Sequence, residues 1–278
     1  MVRPIGFLAG LTFAFVLLWA AFVPRQASEP LKHGIEPMSG HWSFSNAVFG
    51  KYDNQQVQRG FAVYKQVCSG CHSLRLVAFR DLAAIGFSAA EVKALAKSYD
   101  VPSLNPDTGE PATRKGLPSD YIPGPYPNEI AARAANNNAL PPDMSLLAKA
   151  REGGPSYIWS LVGHGYDEKA RPKGWETPQG LYFNKYYANL NIAMPPPLNS
   201  NGQVEYADGT KSTIDQNAKD VSAFLEWTAE PKLVERRETG LSAVLFLSAL
   251  SVLLWFTYKK VWKDVKKPHP QPGMSPTE

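Results

Sequence analysis

The sequence predicts a mainly α-helical domain with long ordered loops, flanked by membrane-length apolar segments. Three observations carry this expectation. Apolar residues recur at helical spacing in two well-separated stretches, within residues 53–67 and 220–228. Residues 101–128 hold seven of the chain's 24 prolines, a density that a helix interior does not tolerate. Residues 5–23 and 240–258 are two runs of nineteen uncharged, largely apolar residues.

As a helix each run would span roughly 29 Å at about 1.5 Å per residue, close to the hydrocarbon thickness of a bilayer. Apolar character on every face, with charges at the borders, marks a membrane span rather than a buried core helix. Residues 25–238 hold 23 Lys or Arg and 23 Asp or Glu, so the net charge of +4 belongs to the two ends. Arg3 precedes the first run, and Lys259, Lys260, Lys263, Lys266 and Lys267 follow the second against Asp264 and Glu278. The positive-inside rule places both flanks in the cytoplasm and the intervening domain across the membrane. Trp255, Tyr258 and Trp262 fall where an interfacial aromatic belt is expected. The first run is either a signal peptide or an uncleaved anchor, the small-x-small cleavage pattern being poor around Val23-Pro24-Arg25-Gln26-Ala27. The expected layout is therefore residues 1–24 as signal peptide or N-terminal anchor, 25–238 as an exported domain, 239–260 as a transmembrane helix and 261–278 as a cytoplasmic tail. No basic patch points to nucleic acid as a partner.

Inside the domain the elements follow in order. Asp53 caps a helix whose apolar positions are Val57, Phe61, Tyr64 and Val67, and Gly60 offers a point where a second helix could cross closely. Ser88-Ala89-Ala90-Glu91 is a capping box opening a short helix. Residues 101–128 read as a long ordered loop, and residues 204–212, with Asp208-Gly209 between strand-like residues, as a small hairpin. Asp220-Val221-Ser222-Ala223-Phe224-Leu225-Glu226-Trp227 reads as an amphipathic helix with Val221, Phe224, Leu225 and Thr228 on one stripe.

The chemistry rests on the chain's two cysteines, in Cys68-Ser69-Gly70-Cys71-His72. Two thiols three positions apart on one turn can add to the two vinyl groups of a haem, and the adjacent histidine then serves as proximal iron ligand. A thioredoxin-like pair would need a surrounding βαβ pattern, and a zinc site a second Cys or His pair; the sequence has neither. The candidates for a sixth ligand are His33, Met38, His41, Met144, His164, Met194, His269 and Met274. His269 and Met274 lie beyond the last membrane run. Met194 stands in Ile192-Ala193-Met194-Pro195-Pro196-Pro197, where prolines stiffen the backbone around a weak thioether ligand. The residues favour Met194, with His164 as the alternative. His/Met ligation raises the reduction potential relative to His/His and leaves no open iron position, which suits electron transfer better than catalysis at the iron.

Beyond the haem motif, several blocks occur in a fixed order. They are Arg59-Gly60-Phe61, Arg133-Ala134-Ala135-Asn136-Asn137 followed by Ala139-Leu140-Pro141-Pro142-Asp143, Gly153-Gly154, Gly180-Leu181-Tyr182-Phe183-Asn184, Met194-Pro195-Pro196 and Ala218-Lys219-Asp220-Val221. In these, over roughly residues 40–260, the chain resembles the cytochrome c1 family, the haem subunits of the cytochrome bc1 complex (ubiquinol–cytochrome c reductase), and a bacterial member of it. The resemblance implies a class I cytochrome c-like haem domain, closed by crossed first and last helices, on a single C-terminal transmembrane helix. It implies one haem c attached through Cys68 and Cys71 with His72 and Met194 on the iron, a propionate held by Arg151 and Tyr157, and pocket walls from Asn136, Pro141 and Pro142. It further implies an electron-transfer subunit that is not catalytic alone. That subunit would take an electron from the Rieske iron–sulfur protein beside cytochrome b and pass it to a soluble or anchored cytochrome c. The haem domain would face the periplasm from a bacterial inner membrane. This chain has no second cysteine pair, so a disulfide beside the haem thioethers is not possible.

A free-standing membrane-anchored cytochrome c serving a terminal oxidase fits less well, because His72 and Met194 are 122 positions apart. A peroxidase-like haem enzyme would need a displaceable sixth ligand. Residues 98–129 and 200–228 each carry a net charge of −3, a surface that could steer a basic cytochrome c.

Overall fold

The computed structural model describes residues 2–22, 34–46, 49–263 and 265. His33, His269, Met274, the stretch 23–27 and Lys266 and Lys267 of the expectations above lie outside them. The helices are α1 (Val2–Phe22), α2 (Asn54–Gln66), α3 (Ala89–Lys97), α4 (Glu129–Ala135), α5 (Gly154–Trp159), α6 (Ile214–Ala229) and α7 (Leu233–Trp262). Short strands form three antiparallel pairs: β1 (Leu74–Ala78) with β4 (Tyr121–Ile122), β2 (Asp100–Leu104) with β3 (Pro111–Lys115), and β5 (Tyr182–Phe183) with β6 (Asn191–Ile192). The protein is thus mostly helical, with small two-stranded sheets and a long apolar C-terminal helix.

The two periodic stretches are the helices that build the core. Asp53 caps α2 by accepting from the Gln55 and Gln56 amides, and its apolar face buries Val57, Phe61, Val63 and Tyr64. α6 starts six residues before the predicted stretch, because Thr213 caps it through the Gln216 amide. Its middle is buried almost all round, from Asn217 to Ala229, since α2 packs on one side and α5 on another. The crossing of α2 and α6 falls at Gly60. A Cβ placed there would lie 2.1 Å from the Asp220 carbonyl oxygen, so no other residue admits the backbones this close. Arg59, next to the crossing, holds the fully buried Asp220 carboxylate at 2.9 Å and reaches Asp208 at 2.9 Å. Phe61 and Tyr64 close on Phe224, with ring centroids 5.7 and 5.9 Å apart.

Two loop expectations are corrected. Residues 101–128 are not all loop: β2 and β3 pair through five registered positions from Asp100 opposite Lys115 to Leu104 opposite Pro111. A two-stranded sheet has only edge strands, which tolerate Pro102 and Pro111. Asn105 accepts from the Asp107 and Thr108 amides to turn the chain. Conversely, residues 204–212 form a turn centred on Ala207-Asp208 but no strands. The side-chain amide of Gln66 takes both backbone groups of Glu205, accepting from its amide at 3.0 Å and donating to its carbonyl at 3.1 Å. With those groups engaged, no ladder forms.

The apolar run at 240–258 lies within a longer helix that starts earlier than the expected span. α7 is one continuous helix from Leu233, long and apolar enough to cross a membrane. Its first turns are fastened to the domain: Arg237 donates to the Phe44 and Gly50 carbonyls at 2.9 and 3.2 Å, and Leu233 packs with Trp42, Phe44 and Ala223.

Candidate haem centre

Past Gln66 the chain tightens into a single 3-10 turn, Cys68–Gly70, in which the Cys71 and His72 amides both donate to the Cys68 carbonyl at 3.1 and 2.9 Å. That turn gathers the two thiols at the end of α2, and neither is in a disulfide. Burial pushes the Cys68 thiol up to about 12, so without an addition partner it stays protonated. Cys71 is exposed.

The next residue is the most constrained of the motif. His72 Nδ1 lies 2.8 Å from the Pro142 carbonyl oxygen. A carbonyl only accepts, so Nδ1 carries the proton and Nε2 keeps its lone pair, with no partner among the described residues. Burial lowers the imidazole pKa, against the opposing pull of the Pro142 carbonyl and Asp143, and favours the neutral ring a metal needs. Residues 142–145 run alongside 72–76 and clamp them. The Asp143 carboxylate accepts from Ser73 Oγ at 2.8 Å and the Arg75 amide at 2.9 Å, the Met144 amide donates to the Ser73 carbonyl, and the Leu76 amide donates to Ser145 Oγ. Burial pushes the Asp143 carboxyl up, but the hydrogen bonds from Arg75, Ser145 and Ser73 outweigh it and hold the group below its ordinary value.

An apolar cleft opens beside this turn. Its walls are Val63, Cys68, Met144, Ile158, Val162, Pro197, Leu198, Val221 and Leu225, drawn from α2, the cysteine turn, the clamp at 142–145, α5 and the segment after it, the proline run and α6. The methionine loop therefore approaches the same space as the cysteine turn. Met194 itself is half-buried, and its carbonyl accepts from the Tyr166 hydroxyl at 2.9 Å. Met144 also lines the cleft, but its amide is bonded to Ser73, which puts it on the His72 side.

The other expected site residues divide. Arg151 and Tyr157 come together: burial pushes the Tyr157 phenol up and the Arg151 charge pulls it back. Arg151 is exposed, donates to the Ala150 carbonyl and makes no ion pair among the described residues. Pro142 contributes its carbonyl to His72 rather than serving only as a wall. Asn136 is not among the cleft residues; its amide donates to Tyr126 Oη and the Ala132 carbonyl, closing α4. His164, the alternative ligand, has Nε2 2.8 Å from Asp215 Oδ1 and its ring edge-on to Trp159, so that nitrogen is engaged elsewhere. The sequence reading missed Tyr166, Asp143 as a clamp and the fully buried Asn184. Asn184 and Asp143 sat inside recognised blocks, but nothing local revealed their contacts.

Two thiols on one turn, a tautomer-fixed imidazole, an apolar cleft and a thioether on a stiffened loop fit a c-type haem. The class so defined is a c-type cytochrome whose C-terminal helix is long and apolar enough to cross a membrane. Residues 42–265 match the model of the Cytochrome C1 family, and the chain belongs to that family, haem proteins of electron transport. It is 44% identical over 253 residues to cytochrome c1 of Rhodospirillum rubrum, covering 86% of this chain and 92% of that one. It is 42% identical over 278 residues to cytochrome b/c1 of Bradyrhizobium diazoefficiens, covering 92% of this chain but only 40% of that longer protein. It is 41% identical over 257 residues to the mitochondrial cytochrome b-c1 complex catalytic subunit of Candida albicans, covering 92% of this chain and 88% of that one.

Proposed function

We propose that this chain is the haem subunit of a bacterial cytochrome bc1 complex. In this reading it accepts an electron from the Rieske iron–sulfur protein and passes it to a soluble or anchored cytochrome c. Its haem c is bound through Cys68 and Cys71, with His72 and Met194 as iron ligands. The observation that carries the reading is the His72 geometry: Nδ1 is spent on the Pro142 carbonyl and Nε2 has no partner among the described residues, at the end of a turn whose Cys68 lines an apolar cleft. Bound there, the haem supplies one-electron chemistry, cycling between Fe(III) and Fe(II). The protein's own work is to hold both axial groups and keep water from the cleft through Val63, Ile158, Val162 and Leu225. Arg151, exposed and without an ion pair among the described residues, and Tyr157 beside it are the donors for a propionate.

The names of the relatives support cytochrome b as a neighbour, one being a cytochrome b/c1 and another a cytochrome b-c1 complex subunit. In this reading α7 serves as the single-pass anchor in the bacterial inner membrane, and Lys259, Lys260 and Lys263 after its apolar part support a haem domain on the periplasmic side. For the acceptor, Asp107 and Glu110 in the β2–β3 turn and Glu129 at the start of α4, none of them in an ion pair among the described residues, offer a steering surface, whereas Asp208 and Asp220 are taken up by Arg59.

The test is the optical spectrum of membranes reduced by quinol and by dithionite, for wild type and Met194→Leu, with cytochrome c reduction followed at rising ionic strength. The expected result is a low-spin c-type band that quinol reduces, lost sixth-ligand character and resistance to quinol in the variant, and cytochrome c reduction that slows with salt. A variant with a normal spectrum overturns the ligand assignment, and a salt-independent rate overturns the acidic docking surface.

A further inference from the structure

The segment following α5 is unusual. The helix continues into a widened π turn, Ser160–His164, a rare form that is frequent at functional sites. It is pressed from two sides. A Cβ on Gly163 would lie 2.8 Å from Ala218 Cβ on α6, and one on Gly165 would lie 2.2 Å from Asn184 Oδ1. Only glycine at both places lets this segment sit between α6 and the loop that leads to Met194.

That loop hangs on the segment by four links. Asn184, fully buried, donates from Nδ2 to the Leu161 carbonyl at 2.9 Å. The Lys185 amide donates to the Gly165 carbonyl at 3.0 Å, and the Lys185 ammonium pairs with Asp167 at 3.3 Å. The Tyr166 hydroxyl donates to the Met194 carbonyl at 2.9 Å. The last link acts on the methionine directly. The peptide between Met194 and Pro195 is planar, so fixing its oxygen holds the plane that contains the Met194 Cα and leaves only rotation about the Cα–C bond to redirect Cα–Cβ. On the other side of that Cα, Asn191–Ile192 is tied into β6 opposite β5.

We propose that the segment from Ser160 to Asp167 is the mount of the methionine loop, and that Tyr166 is the positioning residue that aims Met194 into the haem cleft. The inference rests on Met194 being the sixth ligand. A bond from Met194 to the iron is weak, so its occupancy depends on how little freedom the loop has when unbound. Removing the Tyr166 hydroxyl loosens that aim without touching the ring or the cleft.

The probe is imidazole, which competes with a thioether for ferric iron, titrated into the full-length haem-loaded protein in detergent. Tyr166→Phe forfeits one net hydrogen bond and is expected to bind imidazole roughly three- to tenfold more tightly than wild type. Its near-infrared sulfur-to-iron charge-transfer band weakens and its reduction potential falls. Tyr206→Phe is the control, because Tyr206 donates to Asn217 at 2.8 Å elsewhere in the core; it should lower stability and leave imidazole affinity unchanged. If Tyr166→Phe fails to accumulate, Asp167→Asn loosens the same loop from Lys185 and should shift affinity in the same direction. An affinity for Tyr166→Phe, or for Asp167→Asn in its place, equal to that of Tyr206→Phe refutes the mount. Met194→Leu separates the two levels. If it opens the iron to imidazole while Tyr166→Phe does not, only the mount fails; if it changes nothing, the ligand assignment has failed first.

Discussion

The tightest contact in the fold is also its most measurable. At Gly60 an added methyl would meet the Asp220 carbonyl oxygen at 2.1 Å, Phe224 Cβ at 2.5 Å and the Asp220 carbonyl carbon at 2.7 Å. Ordinary contacts need about 3.5 Å, so Gly60→Ala forces α2 and α6 apart by more than about 1 Å. Two of the three atoms met are backbone, which no rotamer change relieves, so the overpacking cost sits near the upper end of the usual range, about 3 kcal/mol. Alanine's better helix propensity returns about 1 kcal/mol. The net loss is about 2 kcal/mol, roughly a thirtyfold change in the folding equilibrium and about 4–8 °C in Tm for a domain of this size. The separation also strains the Arg59–Asp220 pair beside the crossing. The assay is thermal unfolding of the haem-loaded protein in detergent, followed by circular dichroism and haem absorbance, with Gly240→Ala as control, since a Cβ at Gly240 meets nothing within 4 Å. A Gly60→Ala protein as stable as wild type, or more so, would refute the close crossing.

Two further outcomes are expected. Arg114, with the Leu117 amide, holds the Asp120 carboxyl at about 2 against an ordinary 3.8. A depressed carboxyl stabilises the fold above its unfolded value and loses that contribution as pH falls from 3.8 through about 2, so Asp120→Asn should flatten the acid limb of a urea-midpoint profile over that window; an unchanged limb contradicts the pairing. Arg237→Ala leaves the Phe44 and Gly50 carbonyls without their donor and should cost about 2 kcal/mol locally, read as roughly thirtyfold faster tryptic cleavage at the exposed Lys51; cleavage at the wild-type rate would show that α7 does not fasten this segment.

How much of this was legible depended on how local the determining contacts are. α2 could be read because its cap, its apolar stripe and its terminal motif all lie within twenty residues, from Asp53 to His72. The role of Gly60 followed from the absence of a side chain on a packed face, although the partner carbonyl, 160 positions away on Asp220, was beyond sequence reasoning. The haem motif was legible because covalent attachment demands its residues in one turn. The hairpin was misplaced because proline density reads as loop wherever the partner strand is unknown, and because no sequence pattern announces that Gln66 will occupy the backbone of Glu205. The amide of Asn136 was equally beyond sequence reasoning: it closes α4 by donating to the Ala132 carbonyl.

The two groups proposed to face the iron are held in different ways, and the difference has a physical consequence. His72 follows the cysteines directly and is clamped by a run of consecutive residues, 142–145, through backbone and short side-chain bonds. Met194 is held through Tyr166, 28 positions earlier, and through Asn184 and Lys185 on the loop leading to it. Local clamps survive as long as their own strands stay paired; a loop mounted by separate long-range bonds can open one bond at a time, at a free energy well below that of global unfolding. The histidine side thus belongs to the rigid frame of α2 and β1, and the methionine side to the part of the molecule that local opening reaches first. The proline run 195–197 limits that opening by removing backbone freedom from the released loop, which makes its unbound state less favourable without adding any contact to the bound one.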